Sequence, residues 1–239
     1  VGFQNIFAIF SFHLKKEMVW HKEDNAIRVM SWNVRDFLDS QIYTDTPGNK
    51  RREIFALITK ASPDILCIQD CTDQQGKDFR SSINDVVNAG NFPNYYYNVD
   101  FSKQYYYAFS RYGTAVLSKY PIIDSGRIQY TGRRFPESLA YVKIKMNNDT
   151  LCIFTTHLRS MNLNFDPQVP GPYDMLEGDS TFIVHSNKLQ KLYYFDTCHI
   201  KQVQIAKTAM NACKYPFIFC ADLNSVPSGY VYHHLSKGL

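Results

Sequence analysis

The stretch PDILCIQD, Pro63 to Asp70, decides how the rest of the chain is read: a breaker, four apolar residues, then an amide and a carboxylate. A run this short, entered through Ser62-Pro63-Asp64, reads as a central strand buried on both faces. Upstream, Asn49 is placed to cap a helix reaching about Lys60, with Ile54, Leu57 and Ile58 on one face. Before that helix, Ile27 to Val34 (IRVMSWNV) alternates and is β-prone, so it reads as another buried strand. Between them, Asp36 to Gly48 has loop composition, as does the charged segment Lys15 to Asn25.

Working downstream, Lys77 to Ala89 predicts a helix ending at Gly90. Short β-like runs follow at Tyr95–Val99, Tyr105–Phe109, Thr114–Leu117, Ile122–Tyr130, Leu139–Met146 and Leu151–Thr155, with a hairpin signal at Asn147-Asn148-Asp149. Asn162 to Asp179 is rich in Pro, Gly and Asp and reads as an exposed loop. Phe182 to Cys213 has helical periodicity, as one helix or two; Phe217 to Ala221 reads as a strand, and Pro227 to Leu235 as a helix with proline in its first turn. Helices between groups of mostly antiparallel strands predict two sheets covered by helices, a layered α/β fold.

The chain has 239 residues and is 45% apolar, enough for one sizeable core. The expected organisation is a lead-in segment over 1–25 and one domain over 26–239. Its net charge of +4 suits a phosphate-bearing substrate as well as an ordinary surface, and lacks the dense basic stripe of a nucleic-acid module. No Cys-x-x-Cys pair or zinc spacing occurs among the six cysteines; Cys67, Cys152 and Cys220 read as small buried hydrophobes. Val1 to Phe12 is apolar but too short to span a bilayer, and reads as a strand packing on the core or as the tail of a longer hydrophobic segment. A chain that starts on valine is expected to be a fragment or a processed product.

Four strand-like runs end in polar residues: Trp32-Asn33, Gln69-Asp70, Thr155-Thr156-His157 and Asp222-Leu223-Asn224. Strand ends carry polar groups from a rigid scaffold to a shared rim. Each has a structural reading beside the functional one. Asn33 starts a turn, Asp70 caps a loop, His157 is a satisfied strand-edge histidine, and Asp222 with Asn224 forms an Asx turn. Together they make a toolkit. A carboxylate and an amide oxygen suit Mg²⁺, a histidine stabilises charge on a phosphoryl oxygen, a second carboxylate orients water, and an amide donates to phosphate. That combination points to metal-assisted hydrolysis.

At these residues the chain resembles the endonuclease/exonuclease/phosphatase superfamily, the DNase I-like fold. The resemblance rests on SWNV (Ser31–Val34), PDILCIQD, YGTAVLSKYPI (Tyr112–Ile122), TTHL (Thr155–Leu158) and CADLNSVPS (Cys220–Ser228), five motifs in the family's order. It implies a four-layer αββα sandwich. Asn33 and Asp70 would be at a Mg²⁺ site that also takes Mn²⁺, and His157 at the scissile phosphate. Asp222 would orient the nucleophilic water and Asn224 would bind phosphate. Tyr112 would lie near an active-site aromatic and, with Arg111, is a candidate substrate contact; from the residues alone, Arg111, Arg133 and Arg134 read either as phosphate contacts or as solvated charges. The substrate would be a phosphate ester, with nucleic acid and phospholipid head groups both open. A narrower likeness, to bacterial members whose domain follows membrane helices, implies membrane anchoring.

Two departures from the family pattern matter. The metal-binding glutamate is Asp70 here, shorter by one methylene, about 1.5 Å, against a Mg²⁺–oxygen distance of about 2.0–2.1 Å. The backbone must approach, a water must bridge, or binding must weaken. Second, nothing after Asn224 supplies the family's terminal Asp-His strand, so the chain is expected to stop short of it, with a sheet edge uncovered and little activity by itself. Two function classes follow: a metal-dependent phosphoesterase, and a catalytically impaired binding or scaffold domain of the same fold.

Overall fold

In the computed structural model, residues 22–23, 26–38, 49–75, 81–105, 108–130, 137–160, 187–226 and 229–237 are described. The expected N-terminal strand at Val1–Phe12, most of the loop readings at Lys15–Asn25 and Asp36–Gly48, Arg133 and Arg134, and the loop Asn162–Asp179 lie outside them. Among the described residues no helix is long and apolar enough to cross a membrane.

Strand β1 (Val29–Asn33) lies parallel to β2 (Ile65–Gln75), and helix α1 (Asn49–Ala61) joins them. Then come α2 (Ser82–Gly90), β3 (Asn94–Tyr105) and β4 (Ala108–Ser118), completing a sheet of order β1-β2-β4-β3. The second sheet, β5-β6-β7-β8, holds β5 (Ile122–Gln129), β6 (Ser138–Met146), β7 (Asp149–His157) and β8 (Phe217–Asp222). Helix α3 (Lys188–Asn211) connects β7 to its parallel neighbour β8, and α4 (Tyr230–Ser236) follows. Each sheet therefore has one parallel pair, β1/β2 and β7/β8, while its other strands pair antiparallel.

Three apolar clusters separate four layers. Ile54, Ile58, Ile83 and Val86 of α1 and α2 pack on Leu66, Ile68 and Leu117 of the first sheet. Val203, Ala206 and Met210 of α3, with Val231 and Leu235 of α4, pack on Leu139, Cys152 and Phe154 of the second. Between the sheets lie Ile65, Cys67, Val116, Val142, Ile144, Ile153 and Cys220. The stretch Ile65–Ile68 shows why this is so. Ile65 and Cys67 face the other sheet while Leu66 and Ile68 face the helices, and all four are fully buried. A strand covered on both faces must be apolar at every position. The three cysteines expected to be buried are so.

Several elements differ from the sequence expectations. β2 does not end at Gln69-Asp70 but continues to Gln75 through a bulge, in which Gln69 and Asp70 together oppose Thr114 of β4. The runs at Tyr95–Val99, Tyr105–Phe109 and Thr114–Leu117 are two long strands, because a bulge at Asp100 lets β3 run on to Tyr105 and pairing carries β4 from Ala108. α2 begins at Ser82 rather than Lys77, since the Ser81 hydroxyl accepts from Asn84 N–H and caps it; residues 77–80 lie outside the described part. α3 is one helix of 24 residues, begun by a capping box between Asn187 and Gln190. The last helix starts after Gly229, and Pro227 is outside the described residues.

Candidate active site

The two parallel pairs end beside each other. Their last rungs are carried on by Val34 N–H donating to Gln69 O (3.1 Å) and Leu158 N–H donating to Asp222 O (2.9 Å). Asn33 ends β1, and its Nδ2 donates to Oδ2 of Asp222, the last residue of β8, across 2.6 Å. Asn33 Oδ1 accepts from Arg35 N–H at 2.9 Å. Thus the first and last strands of the described fold are tied by a bond between two candidate site residues 189 positions apart.

Asp222 Oδ1 accepts from Asn224 N–H at 2.9 Å, which is the Asx turn anticipated from the sequence, and Asn224 is left-handed at φ 44°. The turn brings the Asn224 amide back over β7. Its Nδ2 donates to Leu158 O at 2.7 Å and lies 2.9 Å from His157 Nε2. A carbonyl oxygen only accepts, so Leu158 O fixes which end of the amide carries hydrogen; the second hydrogen then faces His157 Nε2. His157 Nε2 is also 3.8 Å from Asp222 Oδ2. Histidine, aspartate and two asparagines therefore share one cluster, with the ring largely buried and the carboxylate part open to solvent. Behind it, Gln69 Nε2 donates to Thr155 Oγ1 at 3.0 Å and to Ser31 Oγ at 3.2 Å, joining the sheets under the cluster.

Asp70 is the extra residue of the β2 bulge and is left-handed at φ 52°. In register, Gln69 pairs with Asn33, so Asp70 is one residue from the Asn33 rung. It shares this corner with Asp36, a residue that sequence reasoning left inside a loop. Arg35, Asp36 and Phe37 form a left-handed turn with φ of 43°, 55° and 59°, held in place by Phe37, which is buried against Phe55. Burial, then the charge of Asp70, pushes the Asp36 carboxyl up to about 7, against the Thr72 hydroxyl that donates to it. Nothing in the composition of a polar loop signals such a placement.

The donor set can be compared with the cation that the resemblance implies. Among the described residues no group of three or more His, Cys, Asp or Glu has the arrangement of a metal site. What the corner offers is oxygen: two carboxylates, near enough that the charge of Asp70 raises the proton affinity of Asp36, and an amide. Two like charges in a half-buried place favour a divalent cation. Mg²⁺, which takes one or two carboxylates and keeps several waters, fits this set in type and charge.

The remaining candidates are placed differently. Tyr112 is buried and stacked on Phe101, with ring centroids 4.6 Å apart, and pairs along the ladder with Thr72. Arg111 is not brought to the cluster. Its guanidinium pairs with the buried carboxylate of Asp73 and lies over the Tyr97 ring. Asp73 also accepts from Ser81 Oγ and Ile83 N–H at the start of α2, so these contacts fasten a helix. Tyr97 donates its hydroxyl to the main-chain oxygen of Cys71 or Arg111, so its polar end is used within the sheet.

A sequence profile described as the Endonuclease/Exonuclease/phosphatase family matches residues 30–239. No curated protein sequence matches the chain significantly. Among solved structures, the chain is similar to an endonuclease/exonuclease/phosphatase from Beutenbergia cavernae (TM-score 0.57, 15% identity, 88% of this chain and 52% of that one). It is also similar to the human Nocturnin catalytic domain (0.53, 17%, 89% and 70%). A third likeness is to sphingomyelinase C from Streptomyces griseocarneus (0.53, 14%, 87% and 67%). This chain thus spans about half the length of the Beutenbergia protein, and at these identities the likeness is one of fold. From the profile match and the four layers, the chain belongs to the endonuclease/exonuclease/phosphatase family, a phosphoesterase family.

Proposed function

We propose that this protein hydrolyses a phosphate ester by water attack with the aid of Mg²⁺ or Mn²⁺. The observation that carries the reading is the cluster itself. Asn33, His157, Asp222 and Asn224 come from opposite sheets and meet within hydrogen-bonding distance where the two parallel pairs end. Asn33 and Asp70, with Asp36 beside them, are the residues that would hold the cation. Its contribution when bound is neutralisation of charge on the phosphoryl oxygens.

The chain's own groups do the rest. Asp222 has one oxygen held by Asn33 and the other by its Asx turn, and part of its carboxylate faces solvent. It is oriented to align a water and take its proton. The second Nδ2 hydrogen of Asn224 would turn from His157 Nε2 to a phosphoryl oxygen of the substrate, and Nε2, released from that contact, would carry a hydrogen and donate beside it. Nucleic acid, phospholipid head groups and small phosphoesters all present such an oxygen, and membrane anchoring would bear on the choice among them.

The test uses the complete protein with Mg²⁺ or Mn²⁺ and two generic substrates, bis(p-nitrophenyl) phosphate and p-nitrophenyl phosphate. Asp222→Asn and His157→Ala are each expected to lower kcat by about 100-fold or more, within the range for general acid–base and electrostatic groups. A second reading is favoured by Asp70, whose short side chain sits on a bulge: a binding or scaffold domain with impaired chemistry. No hydrolysis together with no Mn²⁺ binding by calorimetry would select that reading and remove the first.

A further inference from the structure

His157 is the last residue of β7, yet the next two residues have every main-chain group engaged. Leu158 N–H donates to Asp222 O at 2.9 Å and Leu158 O accepts from Asn224 Nδ2 at 2.7 Å. Arg159 N–H donates to Gln202 Oε1 at 3.4 Å, and Arg159 O is 2.6 Å from His199 Nε2. Two of these four contacts come from the site and two from α3. His199 and Gln202 stand three residues apart on one helix face, and both are fully buried. The Arg159 side chain is buried as well, with Nη1 3.2 Å from Oε1 of Glu137, the residue just before β6.

The chemistry fixes the state of His199. Arg159 O only accepts, so His199 Nε2 carries the hydrogen and, in a neutral ring, Nδ1 is bare. Nδ1 is buried with no hydrogen-bond partner, and burial holds the ring below the ordinary histidine range, both consistent with the neutral form. A buried His, Gln, Arg and Glu cost more desolvation than apolar side chains of the same volume. Packing alone would favour leucines here. What the polar set gives in exchange is a single backbone geometry directly after His157.

We infer that His199 and Gln202 are positioning residues: by gripping the backbone of Arg159 they set Leu158 and, through it, the His157 ring and the Asn224 amide. The rate effect rests on the phosphoesterase reading; the geometric effect does not. α3 thereby acts as the ruler against which the β7 end of the cluster is held.

The experiment compares His199→Phe, which keeps volume but removes the donor, with His199→Gln, whose amide can reach Arg159 O. Folding is checked by circular dichroism. With bis(p-nitrophenyl) phosphate and Mg²⁺, His199→Phe should lower kcat between about tenfold and 100-fold with KM changed less than about twofold, since misplacing a reacting group by about 1 Å costs that much. His199→Gln should recover most of it. Independently of hydrolysis, long-range ¹H–¹⁵N spectra of the histidine rings should show the Nε2–H form of His199 in the wild type. The same spectra should show His157 ring signals displaced in His199→Phe and restored in His199→Gln. Absence of both hydrolysis and Mn²⁺ binding in the complete protein would remove the phosphoesterase reading and leave the ring spectra to decide this one. An Nδ1–H form of His199, or His157 signals unchanged in folded His199→Phe, overturns the inference; a purely structural role would lower Tm and leave them still. Should His199→Phe fail to fold, Gln202→Met removes the acceptor of Arg159 N–H and carries the same comparison.

Discussion

Gly113 has no room for a side chain: a Cβ there would stand 1.8 Å from the main-chain oxygen of Asn98. It pairs with Val99 on one side and Cys71 on the other, next to both bulges, so three strands crowd at this one residue. Backbone cannot yield as a side-chain tip can. Gly113→Ala should cost about 3 kcal/mol, the upper range for overpacking, measured by urea unfolding. Asp100, the extra residue of the other bulge, carries a pH effect. Burial pushes it up to about 7, against the Ser138 hydroxyl that donates to it at 2.5 Å, and the charge of Glu137 adds to the rise. Free aspartate titrates near 3.8, so between that value and about 7 the folded chain holds the extra proton. The contribution of Asp100 to stability is then most favourable at the acid end and declines as pH rises through the window. The full interval converts to at most about 4 kcal/mol. Asp100→Asn should remove that slope when unfolding is compared at pH 5 and pH 8.

At the scale of elements, β2 joins stability to function. Its apolar half was legible because a short run of consecutive apolar residues entered through a breaker is what a strand buried on both faces requires. Its bulge was not legible: Gln69-Asp70 looks like a strand end in sequence, and only pairing with β4 makes it an interruption. The consequence reaches the site. Gln69 stays on the inter-sheet face to meet Thr155, while Asp70 is turned into the corner with Asp36. Helix α3 shows the opposite case. Its start is written locally in Asn187 and Gln190, whose side chains each bond the other's main-chain N–H at 2.9 Å. Asn187→Ala should therefore lower stability by about 1 kcal/mol, read as a shift in the urea midpoint with unchanged slope.

At the scale of the molecule, four layers enclose nearly every thiol. Cys67, Cys71, Cys152, Cys198 and Cys220 are buried, and Cys213 alone of the six is partly open. Native iodoacetamide treatment followed by peptide mass spectrometry should find Cys213 modified first, with the other five reacting only as the layers separate in denaturant. Early labelling of Cys67 or Cys220 would mean that the two sheets part locally, since both lie between them. The same enclosure bears on cation binding. If Mn²⁺ occupies the Asp70 corner of the folded state alone, 100 times its dissociation constant should stabilise the fold by about 2.7 kcal/mol. Chelator should reverse the accompanying rise in Tm, and Asp70→Ala should abolish it.

By itself the sequence determined the order of apolar runs, the turn residues between them and the polar pairs at their ends. These are local matters of period, branching and capping, and five motifs in order were enough to point to the family before any geometry was known. Tertiary structure decided what the local pattern cannot carry. Asp36 is part of the corner only because a left-handed turn is pinned by Phe37, and Arg111 is held from the cluster because Asp73 lies opposite it in the ladder. His199 reaches the main chain after His157 from 40 residues away, through a helix packed on the second sheet. Contacts of that sequence separation depend on how strands are paired and layers stacked, and neither is set by any residue's immediate neighbours.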